Sequence, residues 1–222
     1  IEGVSRSQNM RNVIDYSPLL RACLFNLDRW VAKGVEPPPS SHPRADDGTA
    51  VPPAMIKRAF ERIPHAHHPE RIAIPRRRDY ALREDVEQIQ QMPPIVGEAF
   101  GTLLPAVDED GNEVPGIRLP EVVVPLATHT GWTLRHPDIG GVTQLLMYAG
   151  ATIPFPSTPS GRVATGDPRR SIAERYASKE DYLELVRGAG VGLVEQGYML
   201  EEDIERCVKQ AERFWEYLST NG

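Results

Sequence analysis

The sequence predicts an α/β chain that is mainly helical, with a few short strands and long proline-rich loops. Three observations carry this. Residues 122–124 are a run of valines fenced by Pro120 and Pro125, the pattern of a short strand buried on both faces. Two long stretches, one opening at Ser17 and one over residues 178–219, repeat apolar residues at three- and four-residue steps. Two other stretches hold too many prolines for a helix or a central strand.

The first helix is expected to open at Ser17-Pro18, with serine as N-cap and proline at the first helical position, and to close at Gly34. Leu20, Cys23, Leu24, Leu27, Trp30 and Val31 form its apolar stripe, which is predicted to pack on a sheet or another helix. Residues 35–53 read as a proline-rich connector laid over a surface. A short helix then follows from Pro53, burying Ile56, Ala59, Phe60 and Ile63, and Pro64 ends it. His65, His67 and His68 crowd the exit of that helix, but their spacing fits no familiar zinc pattern, so no metal site is expected. Arg76, Arg77 and Arg78 read as a solvated or ion-paired surface ahead of a helix-like segment at 80–91.

Residues 101–120 read as a hairpin turning through Asp108-Glu-Asp-Gly-Asn112. The glycine stands fourth where a calcium loop needs it sixth, so this is a turn and not a chelating loop. The predicted strand at 122–124 runs into Thr128-His129-Thr130-Gly131-Trp132, and polar residues at the carboxyl end of a buried strand are where α/β folds usually place a site. His129 is therefore the weak catalytic candidate, with Val123 and Trp132 expected in the core and His129 at a pocket or turn edge. Thr128, Thr130 and Trp132 are the binding candidates beside it. A second long loop is expected at 151–168, leading to Arg162, Arg169 and Arg170 as candidates for gripping a carboxylate or phosphate. The competing reading makes Asp167 the cap of a helix starting at Pro168, with the arginines paired to acidic neighbours. At the end, Ser178 to Asp181 is a capping-box variant opening a helical pair over 178–219 that turns around Gly197. Gly188, Gly190 and Gly192 imply another backbone approaching the first of these helices. Trp215 falls on the core stripe of the second.

Residues 1–222 are taken as a single domain or domain fragment. With 25 Lys+Arg against 31 Asp+Glu, the formal charge of -6 argues against a general nucleic-acid partner. No apolar run approaches the length of a membrane span, and no cofactor motif stands out. Cys23 and Cys207, each on an apolar helix face, are expected as buried free thiols. The chain opens at Ile1, without a secretory layout, and a longer parent protein is expected.

Three phrases, DYSPLLRACLFNLDRWVAKGVEPPPS, GIRLPEVVVPLATHTGW and GDPRRSIAERYASKEDYLELV, resemble the carboxyl-terminal part of a family of large, mostly bacterial alpha/beta hydrolase domain proteins. The resemblance implies an α/β-hydrolase fold with a serine nucleophile acting on an ester or related acyl bond of a small-molecule substrate. No G-x-S-x-G elbow occurs in this chain; Gly3-Val4-Ser5-Arg6-Ser7 lacks the final glycine. The resemblance therefore places the nucleophile upstream, makes the upstream part of the same protein the partner of this chain, and lowers His129 as a catalytic base. Asp15, Asp46 and Asp138 are open choices for an orienting carboxylate, and Ser157 is a loop serine to keep in view. The alternative is a non-catalytic module that recognises an anionic ligand through the GDPRR loop.

Overall fold

The computed structural model describes residues 6–70, 74–81 and 89–221, so Ser5 and most of the expected helix at 80–91 lie outside the described residues. In chain order, β1 (Met10–Arg11) leads to α1 (Ser17–Lys33), β2 (Ala50–Val51) and α2 (Pro53–Phe60). Next come β3 (Arg76–Asp79), β4 (Ile95–Ala99), β5 (Leu104–Pro105), α3 (Pro120–Val123), β6 (Ala127–Thr130) and β7 (Ala151–Pro154). The remainder is helical: α4 (Pro159–Thr165), α5 (Ile172–Arg175), α6 (Lys179–Glu195) and α7 (Ile204–Asn221). Helices joined by few, short strands are what an α/β chain of this composition was expected to show.

The strand expected at residues 122–124 is displaced. Pro120 takes the first helical position, where its fixed φ favours a helical turn, so Val122 and Val123 enter α3, with Val123 48 % exposed and Val124 buried just past its end. The buried strand is β6, every residue of which is buried. It pairs antiparallel with β7 in the register Thr128↔Ile153, His129↔Thr152 and Thr130↔Ala151, and β1 joins the other edge of β7. Residues opposite one another share a face. One face thus carries Thr128, Thr130, Ala151 and Ile153, and the other carries His129 and Thr152. β7 and α4 fall inside the expected loop at 151–168; Thr158 caps α4 through Gly161 N–H at 3.1 Å, ahead of Pro159.

The larger core joins Leu126 and Phe155 at the strand ends to Tyr182, Val186 and Leu193 of α6 and to Cys207, Val208, Ala211 and Leu218 of α7. Ion pairs from Lys179 to Glu216 and from Arg187 to Glu205 show that α6 and α7 run antiparallel, as the sequence predicted. Ser178 caps α6 by accepting from Asp181 N–H. Trp215 is half-buried and stacks on Tyr182, with ring centroids 5.1 Å apart. Among the three glycines of α6, Gly190 packs against the side chain of Ile204, with no close backbone, and Gly188 faces open space. A second core brings Ile56, Phe60 and Ile63 of the α2 region onto Ala151 and Ile153, with Trp132 at its edge.

Two helix-level expectations change. The N-cap of α1 is Tyr16, not Ser17; Asp15 instead accepts from Ser17 N–H at 3.0 Å, while Gly34, at φ 68°, closes the helix as predicted. The apolar stripe of α1 faces outward: Leu24 is 69 % exposed and Val31 80 %, and Cys23 is exposed, while Pro18 and Ala22 are the buried residues. The proline-rich 35–53 segment is irregular and, apart from the half-buried Pro38, exposed up to residue 48, and Tyr198 ties it down by donating its hydroxyl to Pro39 O at 2.6 Å. No helix among the described residues is long and apolar enough to cross a membrane.

Candidate functional site

The polar residues of β6 meet the GDPRR loop in one buried network. Arg169 is 2 % exposed, and every N–H of its guanidinium is engaged. Nε donates to Asp167 Oδ1 at 3.0 Å and Nη2 to Asp167 Oδ2 at 2.6 Å. Nη1 donates to Thr128 Oγ1 and to Ile153 O, both at 2.9 Å, and Nη2 also to Pro154 O at 3.2 Å. A guanidinium carries five such donors, so none remains for a ligand. Asp167 accepts from Arg169 N–H at 2.9 Å; it anchors the loop and does not cap a helix at Pro168. The helix begins after Ser171, whose N–H donates to Glu174 Oε2 at 2.8 Å.

The same network continues through the turn at 108–112. Asp110 is buried and holds Arg175 through both carboxylate oxygens, and its backbone O accepts from Thr128 Oγ1. Asn112, fully buried, donates Nδ2–H to Ala127 O at 3.1 Å and accepts from His129 N–H at 2.8 Å. Its carboxamide thus serves the free edge of β6 as a neighbouring strand would. Gly111, at φ 80°, brings this turn so close that a Cβ there would lie 2.8 Å from Ile63 Cδ1. Arg169 and Arg175 both lie over the ring of Phe155, at 5.1 and 4.3 Å from its centroid. Sequence reasoning read Asp110 and Asn112 only as turn formers and left out Arg175, because their work depends on which strand the turn meets.

His129 is 8 % exposed and is the third of the four residues of β6, one before the strand ends. Its Nδ1 lies 3.2 Å from Thr152 Oγ1, while Nε2 has no hydrogen-bond partner among the described residues. Burial pushes its pKa down to about 4. An imidazole of that strength is neutral at pH near 7 and a poor general base. Thr130 donates its hydroxyl to Trp132 O. Trp132 packs edge-on against Phe60 and His68, at 5.2 and 5.6 Å, in the second core and apart from the arginines. Arg162 Nε lies 3.0 Å from Glu174 Oε2, and exposed Arg170 donates to Glu174 O.

Above the network opens a cleft of about 600 Å³ whose wall includes His65, Thr152, Ser157, Thr158, Asp167 and Arg169. Its size suits a small molecule. Ser157 and His65 bring a hydroxyl and an imidazole to it, whereas His129 is not part of the wall. Asp15 and Asp138 lie elsewhere: Asp15 pairs with Arg206, Asp138 donates its backbone N–H to His136 Nδ1 at 3.2 Å, and Asp46 pairs with Arg44.

A family model described as an alpha/beta hydrolase domain matches residues 2–209. No curated protein and no solved structure gives a significant match.

Proposed function

The chain belongs to the alpha/beta hydrolase domain family, and from that premise we propose that it is the carboxyl-terminal part of a serine hydrolase cleaving an ester or related acyl bond, with the nucleophile supplied upstream. The observation that carries this reading is the closed network around Arg169. Acyl transfer needs a hydroxyl, a base able to take its proton, and donors left free for the oxyanion. Here the guanidinium has no free donor, the Thr128 hydroxyl is held between Asp110 O and Arg169, and the His129 imidazole is too weak a base. These groups build a rigid frame for the cleft. The outward-facing stripe of α1 adds support, since Leu24, Leu27 and Trp30 suit a covering surface from the rest of the protein.

Labelling with a serine-directed fluorophosphonate and hydrolysis of a short-chain p-nitrophenyl ester test the proposal. The 222-residue chain is expected to be unlabelled and inactive, and the chain extended upstream to be labelled and active. Stoichiometric labelling of the short chain would refute an upstream nucleophile and direct attention to Ser157. An inactive, unlabelled long chain would favour the non-catalytic binding module. For that module only Arg162 and Arg170 remain as anion ligands, and both already contact Glu174.

A further inference from the structure

Glu121 lies in the first turn of α3 and is 7 % exposed, and its Oε2 has no hydrogen-bond partner among the described residues. Other acids of the same region have cationic partners. Asp15 pairs with Arg206 at 2.7 Å, and Asp203 with Arg21 at 2.9 Å. Both arginines are committed to those partners, and Arg21 to Glu202 as well. The titratable groups near enough to act on Glu121 are Asp15 from the segment before α1, Tyr182 from α6 and Cys207 from α7, and Asp203 and Arg206 act on Cys207 in turn; the Glu121 backbone N–H is the one group that favours its carboxylate. Among the described residues its surroundings therefore offer a phenol, a thiol and a second carboxylate, and no cation of its own.

From this geometry we infer that Glu121 is a proton-operated latch at the junction of α3, α6 and α7, which closes the junction while its carboxyl is protonated and loosens it on ionisation. A neutral carboxyl is tolerated in such a place, whereas a carboxylate there is desolvated and repelled by Asp15. Burial, with Asp15 adding to it, pushes the Glu121 pKa up to about 7. The latch adjoins the wall of a cleft directly. The next residues, Val123, Val124 and Pro125, line a cleft of about 930 Å³ together with Arg118 and Arg175, and Arg118 Nη2 donates to Val122 O at 3.0 Å. Loosening α3 therefore reshapes that wall.

Because the folded state holds the proton more tightly than the unfolded chain, the contribution of Glu121 is complete below its ordinary value of 4.5 and is lost as pH rises toward about 7. The test compares the unaltered chain with Glu121→Gln, which keeps the shape of a protonated carboxyl. The melting-temperature advantage of the variant is expected to widen by several degrees between about pH 5 and about pH 8. In a Cys23→Ser background, Cys207 of the parent should react with a thiol reagent about tenfold faster than in the variant at the higher pH. Coincident melting profiles and equal labelling rates would overturn the latch. If Glu121→Gln does not fold, a carboxyl-carbon NMR titration of the unaltered chain decides: a midpoint near neutrality supports the latch, and one at the ordinary glutamate value refutes it.

Discussion

Asn112 and His129 are joined as two strands would be: the carboxamide oxygen of Asn112 accepts from the His129 backbone N–H at 2.8 Å, and its amide group returns a bond to Ala127 O. One side chain thereby closes the open edge of a strand that is buried throughout. Asn112→Asp keeps the acceptor but turns a carboxylate oxygen toward Ala127 O, and Asn112→Ala removes both bonds. Asn112→Ala should cost about 2–4 kcal/mol, since two buried backbone groups lose their partners, and Asn112→Asp a similar amount, since Ala127 O loses its donor and faces a buried carboxylate. Urea unfolding measures this, and a loss below about 0.5 kcal/mol would remove Asn112 from the frame.

The Arg169–Asp167 pair should behave as a unit. Arg169→Met leaves Asp167 buried and uncompensated and is expected to destabilise by about 3–5 kcal/mol. Adding Asp167→Leu removes the stranded charge and should restore a large part of that loss. Additive single effects in the double-mutant cycle would contradict the coupling that the bidentate geometry implies.

His129 makes stability depend on acid. Its pKa is lowered from 6.5 to about 4, so the unfolded chain binds the proton first and stability is lost as pH falls from 6.5 toward 4. A shift of this size corresponds to about 3 kcal/mol. Glu121 works in the opposite direction between 4.5 and about 7. The two slopes oppose one another where the windows overlap, so His129→Leu should tilt the profile toward a fall with rising pH and Glu121→Gln toward a rise. Calorimetric melting across this range reads both, and a His129→Leu profile parallel to that of the parent would rule out the buried neutral imidazole.

What was legible in the sequence was local. Gly34 ending α1, Ser178 opening α6 and the Asp-Gly-Asn turn each follow from one residue and its neighbours. The valine run misled because β-branched residues favour a strand only where the chain before them allows it, and Pro120 at a helix start overrides that preference. Thr158-Pro159 carries the same kind of start signal as Ser17-Pro18, yet proline and glycine around it made the stretch read as loop. The network around Arg169 was out of reach, because Thr128, Asp110 and Ile153 are brought to it from distant parts of the chain. Orientation was equally hidden: periodicity located the stripe of α1 but not what lies opposite it.

That stripe supplies the last prediction. Leu24 and Leu27 are 69 % and 51 % exposed, so in the 222-residue chain a charge at either site meets water and no packed neighbour is lost. Leu24→Glu with Leu27→Glu should change the unfolding free energy by no more than about 0.5 kcal/mol per site. Ala22, at 1 % exposure, is the contrast: Ala22→Leu forces extra volume into a closed contact and should cost about 1–3 kcal/mol. The exposed apolar face should also drive self-association as concentration rises, and the double glutamate variant should suppress it in sedimentation velocity. In the chain extended upstream, where the proposed function has this face covered, the same glutamates should lower the melting temperature and the esterase activity together. If they cost stability already in the short chain, the outward orientation of α1 is wrong; if they are silent in both, the stripe is not the surface that receives the rest of the hydrolase.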